Sequence, residues 1–314
     1  MNVVLHYQAS PALESRLASA RAEGLAVVAR PPQDHAGVLA ALADCEVLWH
    51  CLAPATAALI EAAPRLRLIQ KIGVGVNTID LDACRARGIA VCNMPGTNTR
   101  AVAEHSLALM LACLRRVPWL DRATREGRGW TDDAQRMDEQ GEIGGRTVGL
   151  VGFGAVPALL APVLRAMGAT VLAWSRTEKP VPGVAFTSLD DLLGRSDIVS
   201  LHLPLTDATA GLIDRDRLAR LPRGAILVNT ARGGLVDEPA LVEALRSGRL
   251  RAAGLDVFAH EPVAADNPLL ALPNVVLAPH VAWLTPETLD RSLGVAIENC
   301  RRLAAGEPLL NRVV

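Results

Sequence analysis

Three polar side chains arrive in order along the second half of the chain: Arg232 in NTARGGLVDEPALVEAL (Asn229 to Leu245), Glu261 in HEP (His260 to Pro262) and His280 in APH (Ala278 to His280). Together they suit the reduction of a 2-oxo acid. A guanidinium grips a carboxylate through two parallel hydrogen bonds and polarises the neighbouring oxygen, which an ammonium does less well. An imidazole passes a proton near neutral pH. A carboxylate beside it accepts the other ring N–H, fixes the tautomer and stabilises the imidazolium. Taken singly, Arg232 reads as a structural ion-pair residue, His280 as a buried histidine bonded to a carbonyl and Glu261 as a surface carboxylate. Their order and flanking motifs favour the chemical reading. None of the three does redox chemistry, so the pattern calls for a hydride carrier.

The signature of such a carrier lies upstream, in RTVGLVGFGAVP (Arg146 to Pro157), where a buried strand pattern runs into a glycine turn and then a helix. Gly152 permits the tight turn, and Gly154 lets the backbone approach a pyrophosphate. The amides of Ala155 and Val156 then face it from the positive end of the helix. Pro157 stands where a third glycine is usual; proline is tolerated in a first helical turn, but close packing of helix on strand comes into question. The strand Thr170 to Trp174 is followed by Ser175, Arg176 and Thr177, where a site for NAD would carry an acidic residue for the ribose 2′-hydroxyl. A hydroxyl and a guanidinium suit a 2′-phosphate, which favours NADP(H) with NAD(H) still possible. Arg176 stacked on adenine without choosing between the two is the competing reading.

The elements needed to hold these groups are legible as alternation. Val3 to Tyr7, Ala26 to Arg30, Val47 to His50, Leu66 to Ile72 and Ile89 to Asn93 read as strands, with helical patterns such as Pro11 to Arg21 between them. Asn98 is a plausible cap for one long helix, Thr99 to Val117, and a domain change is expected there. Alternation resumes at Arg146 and runs to a strand at Val275 to Ala278, before an amphipathic helix over Pro286 to Ala304. The expected fold class is α/β, with two doubly wound parallel-sheet domains and a cleft between them. A flavodoxin-like substrate domain takes 1–98 and 286–314, and a Rossmann-type dinucleotide-binding domain takes 99–285. The polar segment Asp121 to Gly144, with Trp130 as its large apolar residue, reads as an arm reaching a second subunit or as a solvated loop.

Composition narrows the function. The 314 residues hold 32 Lys+Arg against 33 Asp+Glu, so no electrostatic footprint for nucleic acid or an anionic membrane is present. Small-molecule partners are expected instead. The six cysteines, Cys45, Cys51, Cys84, Cys92, Cys113 and Cys300, show no CxxC pairing and read as reduced core residues. The start MNVVLHYQAS lacks the features of a signal peptide and no run is long enough for a membrane span, so a cytoplasmic location is expected. Among the remaining histidines, His105 reads as a domain-boundary residue, His202 as a strand-end residue near adenine, and His50 as a group facing the cleft.

With these pieces placed, the chain resembles the D-isomer-specific 2-hydroxyacid dehydrogenase family, which includes glyoxylate/hydroxypyruvate reductases, glycerate dehydrogenases and phosphoglycerate dehydrogenases. KIGVGVNTIDLDACRARGIAVCNMPGTNTRAVAEHSLALML is similar to its substrate-loop and linker region, GGRTVGLVGFG to its dinucleotide turn and LHLPLTDAT to its adenine-side loop. NTARGGLVDE, AGLDVFAHEP and APHVAW are similar to its remaining signatures, and the likeness runs roughly from Gln70 to Glu307. The resemblance implies interconversion of a small 2-oxo acid and its D-2-hydroxy acid, with Arg232, Glu261 and His280 catalytic. It implies cofactor contacts from Leu203, Pro204, Thr230, Ala231, Arg232, Asp256 and His280, with Asp256 orienting the nicotinamide carboxamide. The backbone of Val74, Gly75 and Val76 would face the substrate carboxylate, and Trp283 either walls the pocket or packs between domains. A homodimer through the dinucleotide domain is expected, whereas serine-feedback control is not. Departures from the family pattern are Pro157, Ser175 and Asn77, the last without an interpretation. Two rivals are a nucleotide-sensing, corepressor-like binding protein of the same fold and a methyltransferase; the latter leaves Arg232, Glu261 and His280 without a role.

Overall fold

A computed structural model describes residues 1–130, 139–178 and 180–314. The chain forms two compact units, Met1–Asn98 with Leu284–Val314, and Thr99–Trp283.

In the first unit, strands β1 (Asn2–His6), β2 (Ala26–Arg30), β3 (Val47–His50), β4 (Leu68–Lys71) and β5 (Ala90–Cys92) make a parallel sheet in the order β2-β1-β3-β4-β5. This is the flavodoxin-like doubly wound order. Helices α1 (Pro11–Ala22), α2 (His35–Leu42), α3 (Ala57–Glu61) and α4 (Leu81–Ala86) make the crossovers. Side chains of Ser10, Asp34, Thr56 and Asp80 cap their N-termini by accepting the backbone amide of the third residue of each helix. The carboxy-terminal helix, Pro286–Ala305, belongs to this unit. It is tied in by Asn299, whose Nδ2 donates to Gln70 Oε1 on β4 at 2.6 Å, while its Oδ1 accepts the Leu310 amide at 2.7 Å.

The second unit begins with α5 (Thr99–Arg115). The expected single helix to Val117 is cut at Arg116, which adopts a left-handed backbone (φ 52°), and a separate helix α6 covers Val117–Arg125. Part of the polar segment is therefore helical. Trp130 within it is 91 % exposed, and the stretch 131–138 lies outside the described residues. Seven strands follow: β6 (Thr147–Val151), β7 (Thr170–Trp174), β8 (Val184–Phe186), β9 (Ile198–Leu201), β10 (Ala225–Asn229), β11 (Leu250–Leu255) and β12 (Val275–Leu277). They pair in parallel in the order β12-β11-β10-β9-β6-β7-β8. Counted within the unit, the order 3-2-1-4-5-6-7 is that of a dinucleotide-binding sheet with one strand added. The strands are apolar through their length because helices cover both faces: α7 (Ala155–Ala166), α8 (Leu189–Arg195), α9 (Arg215–Arg220) and α10 (Glu238–Arg246) join α5 there. The last helix of the chain, Pro286–Ala305, is α11.

All six cysteines are buried and unpaired, and burial pushes the Cys45, Cys51 and Cys113 thiols up to about 12, which leaves them protonated and inert. Among the described residues, no helix is long and apolar enough to cross a membrane.

Candidate active site

The glycine turn sits between β6 and α7. Gly152 has φ +92° and its amide donates to Trp174 O at 2.8 Å; a Cβ there would stand 2.6 Å from His202 O, so only glycine fits between the ends of β7 and β9. Gly154 caps α7 with no side chain and meets nothing within 4 Å of an added Cβ, which leaves open space beside the first amides of the helix, those of Ala155 and Val156. These amides have no partner inside a helix, so the turn fits a dinucleotide pyrophosphate. Pro157 is the third residue of α7 and is buried, and the helix starts intact. The doubt about packing is resolved by Leu160, Ala161 and Leu164, which are buried in one apolar cluster with Val148 and Leu150 of β6. Ser175 is half-buried at the end of β7, and Arg176 and Thr177 are exposed.

Arg232 follows β10. Asn229, buried at the end of that strand, orders the loop by accepting the Ala231 amide at 3.0 Å and donating to Arg232 O at 2.8 Å. The guanidinium donates to Ala231 O at 2.6 Å. Burial lowers its pKa while the neighbouring Glu261 charge raises it. The loop is pressed against the segment leading into HEP: a Cβ on Gly233 would stand 1.9 Å from Phe258 C. Thr230, also buried, shares a 2.8 Å hydroxyl contact with Ser106 of α5.

His280 and Glu261 meet as the motif order suggested. His280 Nδ1 lies 2.6 Å from Glu261 Oε2, and Glu261 Oε1 accepts the Phe258 amide at 3.0 Å. Burial would raise the Glu261 carboxyl, but the hydrogen bond and charge of His280, the Phe258 amide and Arg232 outweigh it and hold it below the ordinary glutamate value. His280 itself has a left-handed backbone (φ +56°). Asp256, at the end of β11, is fully buried; its oxygens accept the amides of Val281 at 2.8 Å and Ala282 at 3.0 Å. Trp283 is 7 % exposed and donates its indole N–H to His280 O at 3.1 Å, so within this unit it braces the histidine turn.

Other residues singled out in the sequence take defined places. His50 is fully buried, with Nδ1 3.3 Å from Lys71 Nζ, and burial, Lys71 and His6 drive its pKa well below the ordinary value. It is a neutral core residue. Burial brings His202 down to about 4, which removes it as a proton carrier at neutral pH. Leu203 flanks the glycine turn, its Cδ2 standing 2.8 Å from a Cβ placed on Gly152, while Pro204 O accepts the Thr209 hydroxyl. In the first unit, Val74 is exposed beyond β4, and its carbonyl accepts from the Asn93 side chain at 2.9 Å. Gly75 and Val76 beside it are half-buried. Sequence reasoning missed Glu238 on α10, which accepts the Ala259 amide at 3.0 Å and the Asn267 side chain at 2.8 Å, and so holds the loop that carries Glu261. Its signal is the second acid of VDE, in the same motif as Arg232.

The geometry has counterparts. Residues 107–282 match the model of the D-isomer specific 2-hydroxyacid dehydrogenase NAD binding domain. A D-3-phosphoglycerate dehydrogenase of Mycobacterium tuberculosis is 44% identical over 280 residues, which cover 87% of this chain and 52% of that protein. A glyoxylate reductase of Aeropyrum pernix is 43% identical over 266 residues, 82% of this chain and 79% of that one. The crystal structure of TT0316 protein from Thermus thermophilus superposes with TM-score 0.89 at 40% identity, covering both chains in full. The chain thus spans about half the length of the mycobacterial relative. It belongs to the D-isomer specific 2-hydroxyacid dehydrogenase family, and its second unit is a dinucleotide-binding domain for a nicotinamide cofactor.

Proposed function

We propose that this chain reduces a small 2-oxo acid of the glyoxylate or hydroxypyruvate kind to the D-2-hydroxy acid, with NADP(H) preferred. The observation that carries the reading is the 2.6 Å His280–Glu261 contact, with the segment leading to Glu261 packed against the Arg232 loop, beyond the carboxyl ends of a dinucleotide-binding sheet. A bound dihydronicotinamide supplies the hydride that adds to C2 of the oxo acid. The protein does the rest. Arg232 holds the carboxylate and the adjacent carbonyl oxygen, where negative charge grows as the hydride arrives. His280 Nε2 gives its proton to that oxygen, and Glu261, bonded to Nδ1, keeps the ring oriented and offsets the imidazolium charge before transfer. The backbone of Val74, Gly75 and Val76 is assigned a further share in substrate binding on the resemblance.

The preference for NADP(H) rests on Ser175 and the exposed Arg176, which add a cation and no carboxylate where a 2′-phosphate would lie. We further assign a homodimer, because Leu159 and Val163 of α7 and Met167 at its C-terminal cap form an exposed apolar stripe (45%, 43% and 39% exposed). A panel of 2-oxo acids run with NADPH and NADH in parallel tests the activity. Turnover of glyoxylate or hydroxypyruvate is expected. Tight dinucleotide binding with no turnover of any 2-oxo acid would replace the enzyme reading by a nucleotide-sensing one.

A further inference from the structure

We propose that Asp256, backed by His105, is a positioning residue that clamps the left-handed turn carrying His280. The inference rests on the role proposed for His280 above. Three bonds join Asp256 to consecutive residues of that turn. The His280 amide donates to Asp256 O at 2.7 Å, the Val281 amide to Oδ1 at 2.8 Å and the Ala282 amide to Oδ2 at 3.0 Å. From the other side, the Trp283 indole closes on His280 O. The turn needs such a hold, because φ +56° is a backbone region that a residue with a Cβ occupies only when its surroundings impose it.

Only a carboxylate can do this. Two backbone N–H groups point at the two ends of one side chain, and an asparagine would set its own NH₂ against one of them. Asp256 forms no ion pair with lysine or arginine among the described residues, and its charge is fully buried. The basic side chain nearest to hand is His105 of α5, whose Nε2 lies 3.6 Å from Asp256 Oδ1 and has no hydrogen-bond partner among the described residues. Burial raises the Asp256 carboxyl; the amides of Ala282 and Val281, and then the charges of His105 and His280, pull it back without cancelling that rise. The groups facing it are thus His105 from α5 and His280 from the turn, with Glu261 and Arg232 beyond His280. Protonation turns one acceptor oxygen into a donor. As the pH falls, the clamp therefore opens above the pH at which an ordinary aspartate titrates.

The test has two arms. In the unaltered protein, the backbone amide resonances of Val281 and Ala282 are expected to titrate together, with a midpoint above the ordinary aspartate value, and His105→Gln to move that midpoint upward. Amides that do not titrate, or a midpoint indifferent to His105, would overturn the clamp whether or not the chain proves to be a dehydrogenase. In the second arm, Asp256→Asn is expected to cut kcat roughly 10²-fold through misplacement of His280 while the Val281 and Ala282 amides lose their titration. Unchanged kcat, or Val281 and Ala282 amides that still titrate in Asp256→Asn, would overturn the clamp. If Asp256→Asn does not fold, the amide titration decides. Failure of the proposed activity is distinguishable, because it shows as absent turnover in the unaltered protein.

Discussion

His280, Glu261 and Arg232 do separable jobs, and substitutions should separate them. His280→Ala removes the proton donor but no dinucleotide contact of the glycine turn, so turnover should fall by roughly 10²-fold or more with cofactor affinity nearly intact. Steady-state kinetics beside a binding titration checks this. Arg232→Lys keeps the charge and loses the two-pronged grip, so its main cost should appear as a raised KM for the 2-oxo acid. Glu261 also carries a stability signature. Its carboxyl is held below the ordinary value in the folded state, so its contribution is fully present above the unfolded value and is lost as the pH falls through the folded one. The stability difference between the unaltered protein and Glu261→Gln should therefore be largest at neutral pH and shrink below about pH 4. A difference constant from about pH 7 to about pH 3 would sink that account.

At the scale of elements, two joints carry most of the consequence. The β6–α7 turn works because Gly152 lets it pass 2.6 Å, measured from an added Cβ, from His202 O. Gly152→Ala combines that clash with a positive φ, and strain of roughly 1–3 kcal/mol is expected together with loss of dinucleotide binding. In the other unit, Asn299 joins α11, β4 and the segment around Leu310 through three hydrogen bonds. Asn299→Ala leaves the Gln70 oxygen and the Leu310 amide unmatched, which should cost about 1–3 kcal/mol of stability in a denaturant titration without changing dinucleotide affinity. The break between α5 and α6 belongs to this scale too: the apolar pattern runs on through Val117, but the left-handed Arg116 cuts the helix, and periodicity carries no sign of that.

For the molecule as a whole, the two open matters are cofactor choice and assembly. Arg176→Ala should lower kcat/KM for NADPH relative to NADH if the guanidinium meets a 2′-phosphate; an unchanged ratio would leave Arg176 as a solvent-exposed residue. Replacing Leu159 and Val163 by glutamate should convert a dimer to a monomer in light scattering, since charges on an apolar interface are costly to bury.

How much was legible in advance follows from what kind of information each feature needs. Alternation of apolar runs and amphipathic stretches placed the five strands of the first unit, and β7 and β12 of the second, within a residue or two, because burial on both faces of a parallel sheet demands continuous apolar segments. The glycine turn and the Arg232, Glu261 and His280 motifs were readable because their chemistry is local to a few residues. His50 was not, since its strand ends alike whether the side chain meets solvent or Lys71; packing alone made it a neutral core group. Tertiary structure also decided the histidine's setting: its orientation depends on Glu261, on the buried carboxylate of Asp256 and on Trp283, and the segment leading to Glu261 reaches the Arg232 loop because Gly233 has no side chain. Residue types specify which proton and charge transfers are available, whereas distances between groups far apart in sequence are set only when the strands that carry them pair side by side.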